Sequence, residues 1–195
     1  MRSIAFAALA LAAGTAVGDI HDIDGRPFSP LQPSGSAHVL FFVMTDCPVS
    51  NSYAPEVQRT CRDYRSRGVG CSLIYEDVGV DVRRVRQHLD DYGYRNVPAV
   101  IDATRDVAAA VDASVTPTAV LVDRDGGIRY RGRIDNFYAA LGRTRRQVTE
   151  RYLRDALDAV LAGKPVPVPE TPAIGCHIVP ANVLEEAHTS GHAFH

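Results

Sequence analysis

The chain has 195 residues, enough for one domain of ordinary size with a real core. Apolar residues make up 46% and charged residues 23%, the balance of a globular domain. The formal net charge of −2 excludes an electrostatic case for nucleic acid or an acidic membrane surface as partner.

Residues 1–18, "MRSIAFAALALAAGTAVG", place Arg2 before an apolar stretch and end in small residues. Ala16 and Gly18 fit a small-x-small cleavage site, so the segment reads as a secretory signal peptide. The alternative is a membrane anchor, but the apolar part is short against the roughly 20 residues a span needs. Export to a periplasmic or extracellular space leaves no membrane contact after cleavage. Cys47, Cys61, Cys71 and Cys176 all fall in the mature part. An even count in an oxidising compartment favours disulfides or redox-active thiols, and the sequence does not choose among the three pairings.

Residues 19–37 are rich in Gly, Pro and Ser and read as an irregular or hairpin lead-in. "HVLFFVMT" (38–45) is a continuous apolar run, the mark of a buried strand. Tyr53, Val57, Cys61 and Tyr64 then recur at helical spacing, which predicts a helix over 50–67 closed by Gly68 and Gly70. "CSLIYE" (71–76) is a second strand. Residues 81–93 read as a helix with Val82, Val85 and Leu89 inward. Residues 98–103 follow as a short strand or extended segment and 105–113 as a short helix. Two strands flank Asp125-Gly126-Gly127, a hairpin signal. Residues 144–163 have the pattern of an amphipathic helix, with Val148, Tyr152, Leu153, Ala156, Leu157, Val160 and Leu161 on its apolar side. The following "KPVPVPETPAIGCHIVP" holds five prolines and fits neither helix nor central strand. It either lies across the domain or hangs free. The order β-α-β-α-(β)-α-β-β-α is that of an α/β sandwich with a mixed sheet.

Cys47 stands where the first buried strand gives way to a helix. Helix N-terminal N–H groups stabilise an anion, so a thiol there is lowered in pKa. The plain alternative is a small buried cysteine. An adjacent Asp46 would raise the thiol pKa if it faced the sulfur, and is otherwise a solvated acid or a cap.

The segment Cys47-Pro48-Val49-Ser50, with Pro55 beyond it, resembles the active-site turn and kinked helix of the thioredoxin-like superfamily. More narrowly, it is similar to the redoxin group that includes the alkyl hydroperoxide reductase/thiol-specific antioxidant (AhpC/TSA) proteins. Thr116-Pro117 before an apolar strand resembles that superfamily's cis-proline loop, and Asp125-Gly126 its hairpin. The resemblance spans about residues 38–162. It implies a thioredoxin-like three-layer α/β/α sandwich with a mixed sheet over 19–163. The tail of 164–195, rich in proline and containing histidines, follows it. It also implies Cys47 as nucleophile, with Ser50 hydrogen-bonded to it, and Thr116, Pro117 and Pro48 against an extended substrate. Two departures stand out. Ser50 replaces the second cysteine of the turn and cannot resolve a mixed disulfide. Met44 and Leu40 occupy positions where peroxiredoxins carry a threonine or serine and a proline.

A resolving thiol must then come from elsewhere. Cys61 near the helix end and Cys71 at the next strand's start are expected to meet as a structural disulfide, or else to be two separate core thiols. Cys176, in the tail, is the candidate partner of Cys47; the alternative is an unpaired tail cysteine. His177, His188, His192 and His195 crowd the C-terminus, but a loose solvated tail is favoured over a metal site there. Arg129, Arg131 and Arg133 share one strand face and read as a solvated edge, the alternative being a positive rim near the thiol. The expectation is an exported thiol-disulfide oxidoreductase acting on a disulfide or peroxide, recycled by an external thiol reductant, without organic cofactor. The rivals are a copper- or zinc-binding accessory protein and a non-catalytic thioredoxin-fold binding domain.

Overall fold

The computed structural model describes residues 20–184. The expected signal peptide and His188, His192 and His195 lie outside the described residues. In chain order the elements are β1 (Ile20–His21), β2 (Pro27–Phe28), β3 (Ala37–Val43), α1 (Pro48–Ser52), α2 (Ala54–Arg65), β4 (Val69–Tyr75), α3 (Val82–Asp91) and β5 (Ala99–Ile101). Then come α4 (Asp106–Ala110), β6 (Val115–Thr116), β7 (Thr118–Asp123), β8 (Ile128–Gly132), β9 (Tyr138–Ala140), β10 (Arg143–Thr144), α5 (Tyr152–Leu161) and β11 (Cys176–His177).

The apolar run of β3 becomes the central strand of a five-stranded sheet ordered β5-β4-β3-β7-β8. β3 pairs in parallel with β4 and antiparallel with β7, so the sheet is mixed. Alternation along β3 explains why every position but His38 is buried. Val39, Phe41 and Val43 face a core shared with α2, α3 and α5. Leu40 and Phe42 face a second core shared with α4 and Ile178 of the tail. Covering both faces is what a continuous apolar strand requires, and the result is a three-layer α/β/α sandwich of the thioredoxin-like kind.

Three expectations change. The helix expected over 50–67 is two helices, parted at Tyr53. Pro55 has no N–H to donate back, so it occupies the first turn of α2 and the chain kinks before it. The helix expected from 144 begins only at Tyr152. Asn136 takes the main chain there instead: its side chain accepts from Thr149 N (3.0 Å) and donates to Thr149 Oγ1 (2.7 Å), and its N–H donates to Glu150 O. In α3, Val82 faces solvent and His88 takes an inward position.

Cys61 on α2 and Cys71 on β4 are joined as a disulfide, with Cα atoms 5.9 Å apart. It ties the end of the helix to the sheet beneath it.

At the carboxyl end of β4, Glu76 is fully buried beside Asp102 and Arg105. Arg105 Nε lies 3.4 Å from Glu76 Oε2, but its guanidinium hydrogen bonds go to the main-chain carbonyls of Glu76, Asp102 and Val179. Neither carboxyl oxygen of Glu76 has a hydrogen-bond partner. Burial, helped by the Asp102 charge, therefore outweighs Arg105 and pushes the Glu76 carboxyl up to about 9. The unfolded chain loses this proton near pH ~4.3 while the folded one keeps it, so this group makes stability fall as pH rises between those values. Glu76→Gln is expected to flatten the fall in unfolding free energy between about pH 5 and 8, measured by urea titration. An unchanged slope would contradict the assignment.

Candidate active site

β3 ends at Val43, and the chain turns through Met44, Thr45 and Asp46 into α1. Thr45 holds that turn by donating its N–H (2.9 Å) and its hydroxyl (2.7 Å) to the Asp77 carboxylate. Asn51 holds it from the other side, donating Nδ2 to Thr45 O at 2.9 Å. Asn51 Oδ1 must accept from His88 Nε2–H (2.8 Å), which leaves His88 Nδ1 to accept from the Tyr75 hydroxyl (2.8 Å). Burial lowers the His88 pKa and keeps the ring neutral in this chain of contacts. Sequence reading did not reach Asp77 or His88. A histidine three residues from Val85 on an apolar helix face was the only available signal for the latter.

Cys47 is the N-cap of α1, with extended backbone (φ −82°, ψ 109°), and Pro48 fills the first turn, where no N–H is needed. Its sulfur accepts from Ser50 N at 3.5 Å and, as a thiol, donates to the Thr116 carbonyl at 3.4 Å. Thr116-Pro117 is a cis peptide, so the cis-proline corner does sit against Cys47. The residue is only 1% exposed. Ser50 is buried alongside, its hydroxyl without a hydrogen-bond partner among the described residues. Asp46 points away, in an exposed ion pair with Arg84 (2.7 Å). It does not oppose the thiolate.

The tail lies across this site. β11 pairs antiparallel with β6, matching Cys176 to Thr116 and His177 to Val115. Cys47 and Cys176 are unbridged, and both meet Thr116: its carbonyl accepts from the Cys47 thiol, and its hydroxyl donates to Cys176 O at 3.5 Å. Burial alone would raise the Cys47 thiol; the influence of Cys176, then of Ser50 and of the Thr116 side chain, outweighs it and brings it below its ordinary value. Cys176 moves the opposite way. Its own burial, and then the neighbouring Cys47, push it up to about 12. The pair thus holds one thiolate-prone sulfur and one retained thiol. The arginines expected to be a bare solvated edge partly clamp the tail: Arg131 pairs with Glu170 (2.8 Å) and Asp112 (2.9 Å), and Arg133 Nε donates to Pro172 O. Among the described residues no group of three or more His, Cys, Asp or Glu side chains is arranged to hold a metal ion.

A mixed sheet, a cis-proline corner and a cysteine capping the first helix after the central strand define a thioredoxin-like redoxin domain, whose chemistry is thiol redox chemistry. The sequence profile of the AhpC/TSA family matches residues 14–131, and the chain belongs to that family. Among solved structures it is similar to an uncharacterized conserved protein from Geobacillus kaustophilus. That pair shares 31% identity over 82% of this chain and 86% of the other, with a TM-score of 0.71. A hypothetical protein from Sinorhizobium meliloti 1021 is 28% identical over 88% and 95% of the two chains, also at 0.71. A thioredoxin-like protein from Aeropyrum pernix, 17% identical over 74% and 87% with a TM-score of 0.54, shares the fold. No curated protein matches the chain.

The contacts predict an order of effects on the Cys47 titration. Cys176→Ala is expected to raise the Cys47 pKa, and Ser50→Ala to raise it by less. Thiolate ultraviolet absorbance against pH, with Cys47→Ser as baseline, reads both. No shift in the Cys176→Ala protein would contradict the contact.

Proposed function

We propose that this protein is an exported thiol-disulfide oxidoreductase in which Cys47 is the nucleophile and Cys176 the resolving thiol. The observation that carries the reading is the β6–β11 pairing, which puts Cys176 opposite Thr116, the residue whose carbonyl accepts from the Cys47 thiol, while the usual second cysteine of the turn is Ser50. The opposite pKa directions of the two sulfurs support the same division of roles. Ser50 hydrogen-bonds the thiolate, and Thr116, Pro117 and Pro48 form the wall against which a substrate lies. Export rests on the pattern of residues 1–18; no helix among the described residues is long and apolar enough to cross a membrane.

Two entries to the cycle balance. With a disulfide, the Cys47 thiolate attacks one sulfur, a mixed disulfide forms, and the other sulfur leaves as a thiolate. With a hydroperoxide, the thiolate attacks the outer oxygen, giving a sulfenic acid at Cys47 and, after protonation, an alcohol or water. Cys176 then attacks the Cys47 sulfur as a thiolate, its proton passing to the leaving group. It expels substrate thiol in the first case and water in the second, and leaves a Cys47–Cys176 disulfide. An external thiol reductant returns both sulfurs to the reduced state. The disulfide entry is favoured, because Met44 and Leu40 stand where a peroxidase site carries its hydroxyl residue and proline.

Reduced protein treated with one equivalent of oxidised glutathione should yield a Cys47–Cys176 disulfide by peptide mapping. The Cys176→Ser protein should stop at glutathione bound to Cys47. A 47–61 or 47–71 linkage as the main product would sink the assignment of Cys176.

A further inference from the structure

The contact between tail and cis-proline corner depends on the absence of one side chain. Gly175 packs flat on the Thr116-Pro117 peptide. A Cβ at this position would overlap the Thr116 carbonyl oxygen outright, and would lie 2.8 Å from the Thr116 carbonyl carbon and 3.1 Å from Pro117 Cδ. These atoms are backbone and a proline ring, not the free end of a side chain. Thr116 is fully buried and Pro117 leads into β7, next to the central strand. The wall cannot give by rotamer change, so the strand opposite would have to move.

Its neighbours leave little room for that. Ile174 borders a small cleft with Tyr53, Pro117, Ile134 and Tyr138. On the far side, Ile178 donates its N–H to Ser114 O at 2.9 Å and is buried in the second core. The cysteine between these anchors pairs with Thr116, whose carbonyl accepts from the Cys47 thiol. A strand with a side chain before its cysteine cannot keep the β6 pairing that sets the cysteine opposite Thr116.

Building on the role assigned to Cys47 above, we propose that this groove selects glycine immediately before the partner cysteine. The protein substrates it takes are extended segments with an apolar residue, glycine and cysteine in succession. The chain's own Ile174-Gly175-Cys176 is the resident example. A disulfide-bonded cysteine in such a segment displaces the tail strand, pairs with Val115–Thr116 and presents its sulfur to the Cys47 thiolate. The new Cys47–cysteine bond forms as the substrate disulfide breaks, and the departing sulfur carries the electron pair. A cysteine preceded by any side chain is held off by the Thr116 carbonyl.

The test uses the full chain carrying Gly175→Ala and Cys176→Ser, which weakens the resident strand and leaves Cys47 as its one free thiol. Two synthetic peptides of the 171–179 sequence are compared, one native and one with alanine for glycine, each activated as the thionitrobenzoate mixed disulfide. Release of thionitrobenzoate is followed, each rate divided by that of the same peptide with free 2-mercaptoethanol. The glycine peptide is expected to react at least about ten-fold faster than the alanine peptide, the ratio that about 1.4 kcal/mol of clash produces. The Cys176→Ser protein with Gly175 intact should show the same preference at lower rates, because its tail competes. That second protein keeps the test sound if the double variant folds poorly. Equal normalised rates, with Cys47 still reacting with Ellman's reagent, would overturn the glycine selection and leave the role of Cys47 standing. Failure of Cys47 to react with Ellman's reagent would overturn that role, and the selection with it.

Discussion

The site depends on one short backbone pairing, Cys176 against Thr116, made by a segment too rich in proline to fold on its own. Two anchorages fix it. Upstream, the tail covers the free edge of the sheet: Arg131 N donates to Pro169 O and Thr171 N donates to Arg131 O, both at 3.0 Å. The Thr171 hydroxyl meets the Tyr130 hydroxyl at 2.7 Å and accepts from Arg133 N at 2.9 Å. Downstream, Ile178 enters the core and Arg105 donates to Val179 O at 3.2 Å. Each such hydrogen bond contributes only about 1 kcal/mol, but they act on one chain of restricted prolines and so set Cys176 together. An exposed sheet edge invites foreign strands, and here the protein covers it with its own.

The electrostatics follow from that placement. α1 has five residues, so its dipole is small and the help given to a thiolate is local. It comes from Cys176, from Ser50, whose main-chain N–H donates to the sulfur, and from the Thr116 side chain, each needing the sulfur at its observed position. Asp77, Asn51 and His88 fix the Thr45–Cys47 turn and thereby that position.

Where local chemistry dictates structure, the sequence was readable. The apolar run of β3 and the Asp-Gly-Gly turn each follow from a few adjacent residues, while the cis-proline corner came from the resemblance of Thr116-Pro117 to a known loop. Elements decided by distant partners were not. Residues 144–151 have helical periodicity, yet one side chain, Asn136, draws their backbone into another path. The two-residue β11 shows no alternation to detect, because its partner is a corner and not a strand face. The arginines of β8 look like a solvated row until the acidic and carbonyl groups that meet them arrive from the tail. Cys176 could be singled out as the missing thiol's candidate, but the strand that presents it, and the glycine that strand requires, could not.

The central claim is that Cys47 and Cys176 form an exchanging redox couple. The direct measurement is the reduction potential of the protein in glutathione buffers, read by the fraction carrying the Cys47–Cys176 disulfide. A working couple should give a value between about −120 and −270 mV, where catalytic dithiols lie. A value below about −300 mV would mark a structural bond that cellular reductants leave alone, and would contradict the account.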